Sequence, residues 1–268
     1  MSGNTNNTGI VNSGGNIVNK SYSSGSKSKN IAAILMYHHI GDPPPKVKLW
    51  ALYVSRLNFA FQMWYLKKAG YNVISLEALG AAAAAGREIP PYSVVLTFDD
   101  GFRDFYTNAY PLLKKYDFAA TVFAVTGQCG RKADWEGIEH TGTGDIMSEA
   151  EMNEITQNSK VTIAPHTDGH KKLSTLFAVE AEAEIASSIE AVKRISGREV
   201  KTFAAPYGDY NAETIGILKK YNIEFAVTTV NRAFNAAADS LLEMPRIIVR
   251  RNNHPPGFMY KLYRTFRP

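Results

Sequence analysis

The chain has 268 residues, 45% of them hydrophobic, one cysteine and a formal charge of +5. That is enough for one sizeable core, in the ~200–250-residue range where α/β barrels form single domains. One cysteine excludes a disulfide framework and a thiolate metal cluster, no run of about 18 apolar residues can cross a bilayer, and the mild basic excess, with no Lys/Arg block, argues against nucleic acid while suiting anionic surroundings.

Residues 1–30 are rich in Asn, Ser and Gly and read as a flexible tail, with residues 31–268 as one folded domain. The hydrophilic start shows no export signal, which leaves a cytoplasmic protein or a chain that begins after such a signal. Ile31 to Tyr37 is an apolar run that predicts a first strand ending in His38 and His39. Ser55 predicts an N-cap for a helix with the apolar face Leu57, Phe61, Trp64, Tyr65 and Leu66, closed by Gly70. A short strand over Tyr71 to Ser75 and a helix over Leu76 to Ala85 follow.

Val94, Val95 and Leu96 run straight into Asp99-Asp100-Gly101. The run is short, apolar and edged by Pro90-Pro91 and Gly101, so it predicts a buried strand. In helix-covered sheets, catalytic groups collect at the carboxyl ends of strands. Two adjacent carboxylates repel, so such a pair can divide, one held by a cation and the other free as a base. A polar turn capping the next helix is the competing reading.

Phe105 to Tyr116 has helical spacing, and Ala119 to Val125 is a strand. Residues 126–147 form a polar, glycine-rich stretch around Trp135 and His140, read as a long loop bordering a groove. Ser148 with Glu151 predicts a capping box. Val161 to Ala164 is a strand that delivers His166 and His170, and Ala178 to Ser196 is an amphipathic helix ended by Gly197. Thr202 to Ala204 is a strand that delivers Pro206-Tyr207-Gly208. Asn211 caps a helix to Tyr221, Phe225 to Thr229 and Arg246 to Val249 are strands, and Pro256 to Tyr263 is a last helix. About eight strands alternating with helices predict parallel β/α units, closed as a barrel or wound as an open sheet. Cys129 has no motif around it and reads as a structural thiol.

His166 and His170 stand four residues apart. Two imidazoles and one carboxylate make the ligand set of a catalytic divalent metal with open positions. Such a metal makes water nucleophilic near neutral pH, and a carboxylate outside the ligand set takes the proton. The spacing alone also fits two solvated loop histidines.

Thr97-Phe98-Asp99-Asp100-Gly101, then His166-Thr167-x-x-His170, then Phe203-Ala204-Ala205-Pro206-Tyr207-Gly208 resemble the ordered motifs of the polysaccharide deacetylases of carbohydrate esterase family 4, the NodB homology domain. The opening Leu35-Met36-Tyr37-His38-His39-Ile40 is similar to the branch that deacetylates biofilm poly-N-acetylglucosamine. The resemblance covers roughly residues 31–250. It implies an α/β fold, a distorted (β/α) barrel, and metal-dependent removal of N-acetyl groups from N-acetylglucosamine polymers, exopolysaccharide or peptidoglycan. It also implies that Asp99 is the catalytic base, that Asp100, His166 and His170 are metal ligands, and that the Tyr207 backbone N–H helps to hold the oxyanion. Zinc is the expected metal, with cobalt or nickel also fitting the set.

The chain departs from the family pattern. The Arg that usually precedes the Pro-Tyr and orients the base is Ala204, and Arg246 at the start of a later strand is the expected substitute. The C-terminal Leu-x-His that usually supplies the general acid is missing. His38, ending the first strand, is expected in its place, with His39 as competitor. Pro165 before His166, Lys171 after His170, and Ala205 also differ. Trp135 and Tyr207 are expected either to stack on sugar or to pack in the core. The expectation is an extracellular or cell-surface, cell-wall or biofilm hydrolase, with a cytoplasmic location left open. Its alternatives are a soluble amidase of the same superfamily and a non-catalytic carbohydrate-binding relative.

Overall fold

The computed structural model describes residues 30–135 and 144–267. The expected tail, but for Asn30, and His140 of the expected loop lie outside them. In chain order the strands are β1 (Ile31–Tyr37), β2 (His39–Ile40), β3 (Tyr53–Val54), β4 (Asn72–Val73), β5 (Ser93–Phe98), β6 (Ala120–Ala124), β7 (Val161–Pro165), β8 (Thr202–Ala204), β9 (Phe225–Asn231), β10 (Phe234–Asn235) and β11 (Met244–Ile248). The helices are α1 (Arg56–Lys68), α2 (Leu76–Ala84), α3 (Tyr110–Tyr116), α4 (Glu149–Asn158), α5 (Ala178–Ser196), α6 (Ala212–Lys220) and α7 (Pro255–Phe266).

β1 runs through the middle of the sheet. Ala32 through Tyr37 are buried, as an apolar strand covered on both faces should be. β1 pairs in parallel with β5 from Ala32↔Ser93 to Tyr37↔Phe98 and with β11 at Leu35↔Ile247 and Met36↔Ile248. The first and last strands of the domain are therefore neighbours. The full order is β7-β6-β5-β1-β11-β9-β8. β4 adds beside β5, β10 runs antiparallel to the start of β1, and β2 pairs with β3.

Among the described residues no ladder joins β7 to β8, so the barrel is open along that side. Pro165 cannot donate a ladder bond, and it sits on edge strand β7, where proline is tolerated. The gap is spanned by a side chain: His166 Nδ1 lies 2.7 Å from the Ala204 carbonyl of β8.

Helix starts follow the sequence closely. Ser55, Ser75 and Ser148 each accept a backbone N–H of the first turn, and Ser148 and Glu151 make the expected capping box. The apolar face expected for α1 is corrected. Leu57 is 85% exposed and Trp64 is exposed, whereas Phe59, Gln62, Met63 and Leu66 are buried. Apolar residues occur on every side of this helix, so spacing does not choose its face; its neighbours do. Phe59 packs edge-on to Tyr37 at 5.6 Å, a burial worth ~1.5–3 kcal/mol. Gln62 accepts the Tyr37 hydroxyl at 2.9 Å.

The helix expected over Phe105 to Tyr116 is two windings. Phe105–Ala109 is π-helical, with Tyr110 N–H donating to Phe105 O, before α3 begins. Pro111 has no N–H for the usual α-helical bond, which accounts for the shift. Cys129 is half-buried, and burial pushes its thiol up to about 11. A thiol so rarely ionised is a poor nucleophile.

Candidate active site

Asp99 continues the β5 ladder, its N–H donating to Tyr37 O at 2.9 Å. The chain then turns through two left-handed residues, Asp100 (φ 71°) and Gly101 (φ 77°). Aspartate tolerates that conformation better than most residues. Gly101 is further required because an added Cβ would lie 3.2 Å from Ala124. The turn sends the two carboxylates to different partners, and both side chains are buried.

Asp99 meets Arg246. Arg246 Nη1 and Nη2 donate to its two oxygens at 2.6 and 2.8 Å, in the bidentate geometry that fits guanidinium to carboxylate. Arg246 is only 1% exposed, and two further donors are used: Nε bonds Thr228 O at 2.9 Å, and Nη1 reaches Thr97 Oγ1 at 3.2 Å. Burial alone would raise the Asp99 pKa, but the charge of Arg246, with His38, outweighs it and holds the carboxyl below its usual value.

Asp100 meets the two histidines. Its Oδ1 lies 3.4 Å from His166 Nε2 and 3.3 Å from His170 Nε2. Burial opposes its ionisation, yet the neighbouring imidazoles of His166 and His170 hold it well below the usual carboxylate range. A carbonyl can only accept, so His166 Nδ1 carries the proton it gives Ala204 O, and its Nε2 presents a lone pair. His170 Nδ1 lies 3.1 Å from the Tyr207 hydroxyl. One ligand atom from each of Asp100, His166 and His170 falls within 4.8 Å of the others. A lone pair aimed at a carboxylate oxygen is repulsive until a cation stands between them. The donor set therefore fits a divalent metal.

The loop bearing these histidines is not helical. Thr167 (φ 60°) and His170 (φ 57°) are left-handed, an unfavourable conformation for a β-branched residue. Contacts on two sides hold it. Thr126 Oγ1 donates to Asp168 Oδ1 at 3.0 Å, and Gly127 N–H to Asp168 O at 3.0 Å. From α5, the buried Glu184 accepts Gly169 N–H at 2.6 Å and pairs with Lys171 at 3.1 Å.

His38 and His39 face opposite ways, as neighbours on an extended segment do. His38 Nε2 lies 3.9 Å from Asp99 Oδ2, and its side chain is 17% exposed. Burial lowers its pKa, against the opposing pull of Asp100 and Asp99. His39 points away from the groove. It is stacked between Tyr53 and Phe102, and its Nδ1 lies 2.7 Å from Asp104 Oδ2. Tyr207 has φ 61° in the turn after β8 and is 45% exposed. Gly208 beside it has φ 68°, and an added Cβ would strike Thr229 at 2.2 Å. Trp135 is buried and packs on His170 with ring centroids 4.4 Å apart. It is a wall of the site, while Tyr207 offers an accessible ring.

These groups share one groove of about 940 Å³, floored by Asp99, Asp100 and His166 and flanked by His38, His170 and Tyr207. Reading the sequence assigned no role to Thr97, Thr228, Asp168 or Glu184. Only Glu184 left a signal: a charge inside the buried stripe Ala181, Ile185, Ser188 and Ile189 of α5.

The polysaccharide deacetylase family model matches residues 86–226, more than half of the chain. YxkH of Bacillus subtilis (strain 168), whose name places it among the polysaccharide deacetylases, is 29% identical over 196 residues, 73% of this chain and 63% of that protein. The poly-β-1,6-N-acetyl-D-glucosamine N-deacetylase of Escherichia coli (strain K12) is 25% identical over 252 residues, 81% of this chain and 36% of that protein. The chain thus spans less than two thirds of the length of these curated relatives. Among solved structures, the Streptococcus pyogenes deacetylase PplD in complex with acetate is similar, with a TM-score of 0.76 at 29% identity over 87% of this chain and 99% of that one. IcaB from Ammonifex degensii shares the fold, with a TM-score of 0.73 at 23% identity over 89% and 98% of the two chains. The chain belongs to the polysaccharide deacetylase family.

Proposed function

We propose that the chain is a metal-dependent hydrolase that removes N-acetyl groups from an N-acetylglucosamine-containing glycan, an exopolysaccharide or peptidoglycan outside the cell. The observation that carries this reading is the divided fate of two adjacent carboxylates, Asp99 locked to Arg246 and Asp100 facing two imidazoles. The names of the poly-β-1,6-N-acetyl-D-glucosamine deacetylases it resembles support the substrate class.

Asp100, His166 and His170 would hold the metal, with zinc first on ligand type and cobalt or nickel also suited. When bound, the metal supplies Lewis acidity, which makes water nucleophilic near neutral pH and polarises the acetyl carbonyl. Asp99 takes the proton from the attacking water. Arg246 keeps Asp99 ionised and fixes its direction, so the base costs no reorganisation when the reaction begins. The Tyr207 backbone N–H is assigned as a donor to the oxyanion. His38 gives a proton to the departing nitrogen as the C–N bond breaks. Acetate and a free amine result, with the water's atoms divided between them.

Metal analysis of the purified protein, with acetate release from N-acetylglucosamine oligomers before and after chelation, tests the reading. Acetate release that stops on chelation and returns with zinc is expected. Bound metal without acetate release would sink it, in favour of a small-amide substrate or a glycan binder.

A further inference from the structure

Away from the groove, α1 and α7 lie side by side. The Tyr65 and Phe258 rings are 6.4 Å apart, and Gln62 Nε2 donates to Asn253 O at 3.4 Å. Both helices turn large apolar groups to solvent. Leu57 is 85% exposed and Trp64 44% on α1, and Tyr260 is 62% exposed, with Met259 and Tyr263 also exposed, on α7. A shallow groove of about 180 Å³ between them is lined by Tyr65, Tyr71, Tyr92, Tyr263, Phe266 and Arg267.

The charge on these stretches is one-sided. The whole chain carries 30 Lys and Arg against 25 Asp and Glu, yet residues 43–76 and 244–268 contain no acidic residue. Arg56, Lys67 and Lys68 of α1, with Arg264 of α7 and Arg267 just beyond it, are exposed. Scattered apolar side chains on a surface need no explanation. A cluster of Leu, Trp, Tyr and Met on two helices that carry cations and no acid of their own is different, because both features suit one kind of surface.

We propose that this face seats the protein on an anionic lipid bilayer, with Leu57, Trp64 and Tyr260 entering the headgroup layer and the cations pairing with lipid phosphates. Tryptophan and tyrosine favour that layer, where an apolar ring and a polar edge are both satisfied. Basic residues near an anionic leaflet add attraction that salt screens. A second copy of the chain is a poor occupant, since a two-fold contact would set these cations against themselves. A soluble polyanion would use the cations but has no use for an outward Leu57. The proposal does not depend on the assignment of hydrolysis, and its test reads binding alone.

The test is co-sedimentation of the full chain with phosphatidylcholine vesicles, with and without phosphatidylglycerol. Binding is expected only with phosphatidylglycerol, and it should weaken as salt rises. Lys67→Glu with Lys68→Glu and Arg264→Glu should lower the partition coefficient about tenfold or more. Leu57→Ser with Trp64→Ser should also lower it, with no change in charge. Circular dichroism melts check that each variant is folded. Three results would overturn the proposal. The first is vesicle binding unchanged by both sets of substitutions. The second is equal binding to soluble polyphosphate that ignores Leu57 and Trp64. The third is a concentration-dependent dimer, with no vesicle binding, that Leu57→Ser dissolves.

Discussion

The two halves of the groove are built differently. The Asp99 half stands on paired strands. Arg246 comes from β11, Thr97 from β5 and Thr228 from β9, His38 directly follows β1, and none of these residues has a positive φ. The Asp100 half stands on loops, those after β7 and β8 flanking the open side of the barrel. Asp100, Thr167, His170 and Tyr207 all have positive φ, and side-chain contacts from Thr126, Asp168 and Glu184 hold the loop in place. One half carries its own countercharge, in Arg246. The other gathers an anionic oxygen and two imidazole nitrogens and needs a cation to finish it. The site thus combines a rigid base with a receptor that strains its backbone to converge on one point.

The largest effect should come from separating the halves by mutation. Asp99→Asn should keep the metal and lose ~10²–10⁴-fold in turnover, the usual contribution of a general base. Asp100→Asn should lose the metal itself. Metal content by emission spectroscopy, beside acetate release, reads both. Loss of metal from Asp99→Asn with retention in Asp100→Asn would mean that the roles are exchanged.

Next comes the rigid half's stability. Arg246→Ala leaves the buried Asp99 carboxylate without its partner, and breaking such a pair typically costs ~3–5 kcal/mol. Urea unfolding should show a loss of that size, with turnover falling as well. Arg246→Lys should recover part of the stability but less of the turnover, because a single ammonium cannot reproduce the two parallel bonds to Asp99. Full turnover in Arg246→Ala would remove Arg246 from the site.

Metal removal should act on the other half alone. At a free metal concentration about 100 times Kd, binding stabilises the fold by ~2.7 kcal/mol. Chelation should remove that stabilisation. Amide hydrogen exchange should then quicken in residues 166–170, while β1, β5 and β11 keep their protection. Equal loosening in both halves would show that the base half also relies on the metal.

The same division explains what was legible in the sequence. β1, α5 and β8 fall at their expected bounds because apolar runs, glycine stops and caps are local signals. The motif residues Asp99, Asp100, His166 and His170 could be named because each follows an apolar strand. The face of α1 could not be read, since apolar residues surround that helix and its contacts with Tyr37 and Phe98 select Phe59 over Leu57. The clamp from Glu184 to Gly169 joins positions 15 residues apart across a loop and a helix, and no local pattern encodes it. His38 and His39 were inseparable by type. The alternation of an extended chain parts them, sending one to Asp99 and the other to Asp104.

The smallest effect is a control for the rigid half, because the molecule contains a second bidentate arginine–aspartate pair. Arg232 donates to Asp239 at 2.8 and 2.6 Å, nearly the geometry of Arg246 with Asp99. Here the Arg232 side chain is 52% exposed, so solvent screens the attraction. Arg232→Ala should therefore cost only ~0.2–1 kcal/mol, as exposed pairs do. The hydrogen bond from Arg232 holds the Asp239 pKa below its usual value. A lowered folded pKa means that the stabilisation is present above the unfolded value, ~3.9, and is lost as pH falls through the folded one. Urea midpoints of the parent and Arg232→Ala should differ slightly at pH 7 and converge in acid. If Arg232→Ala cost as much as Arg246→Ala, geometry rather than burial would set the strength of these pairs, and the contrast between the two regions would fail.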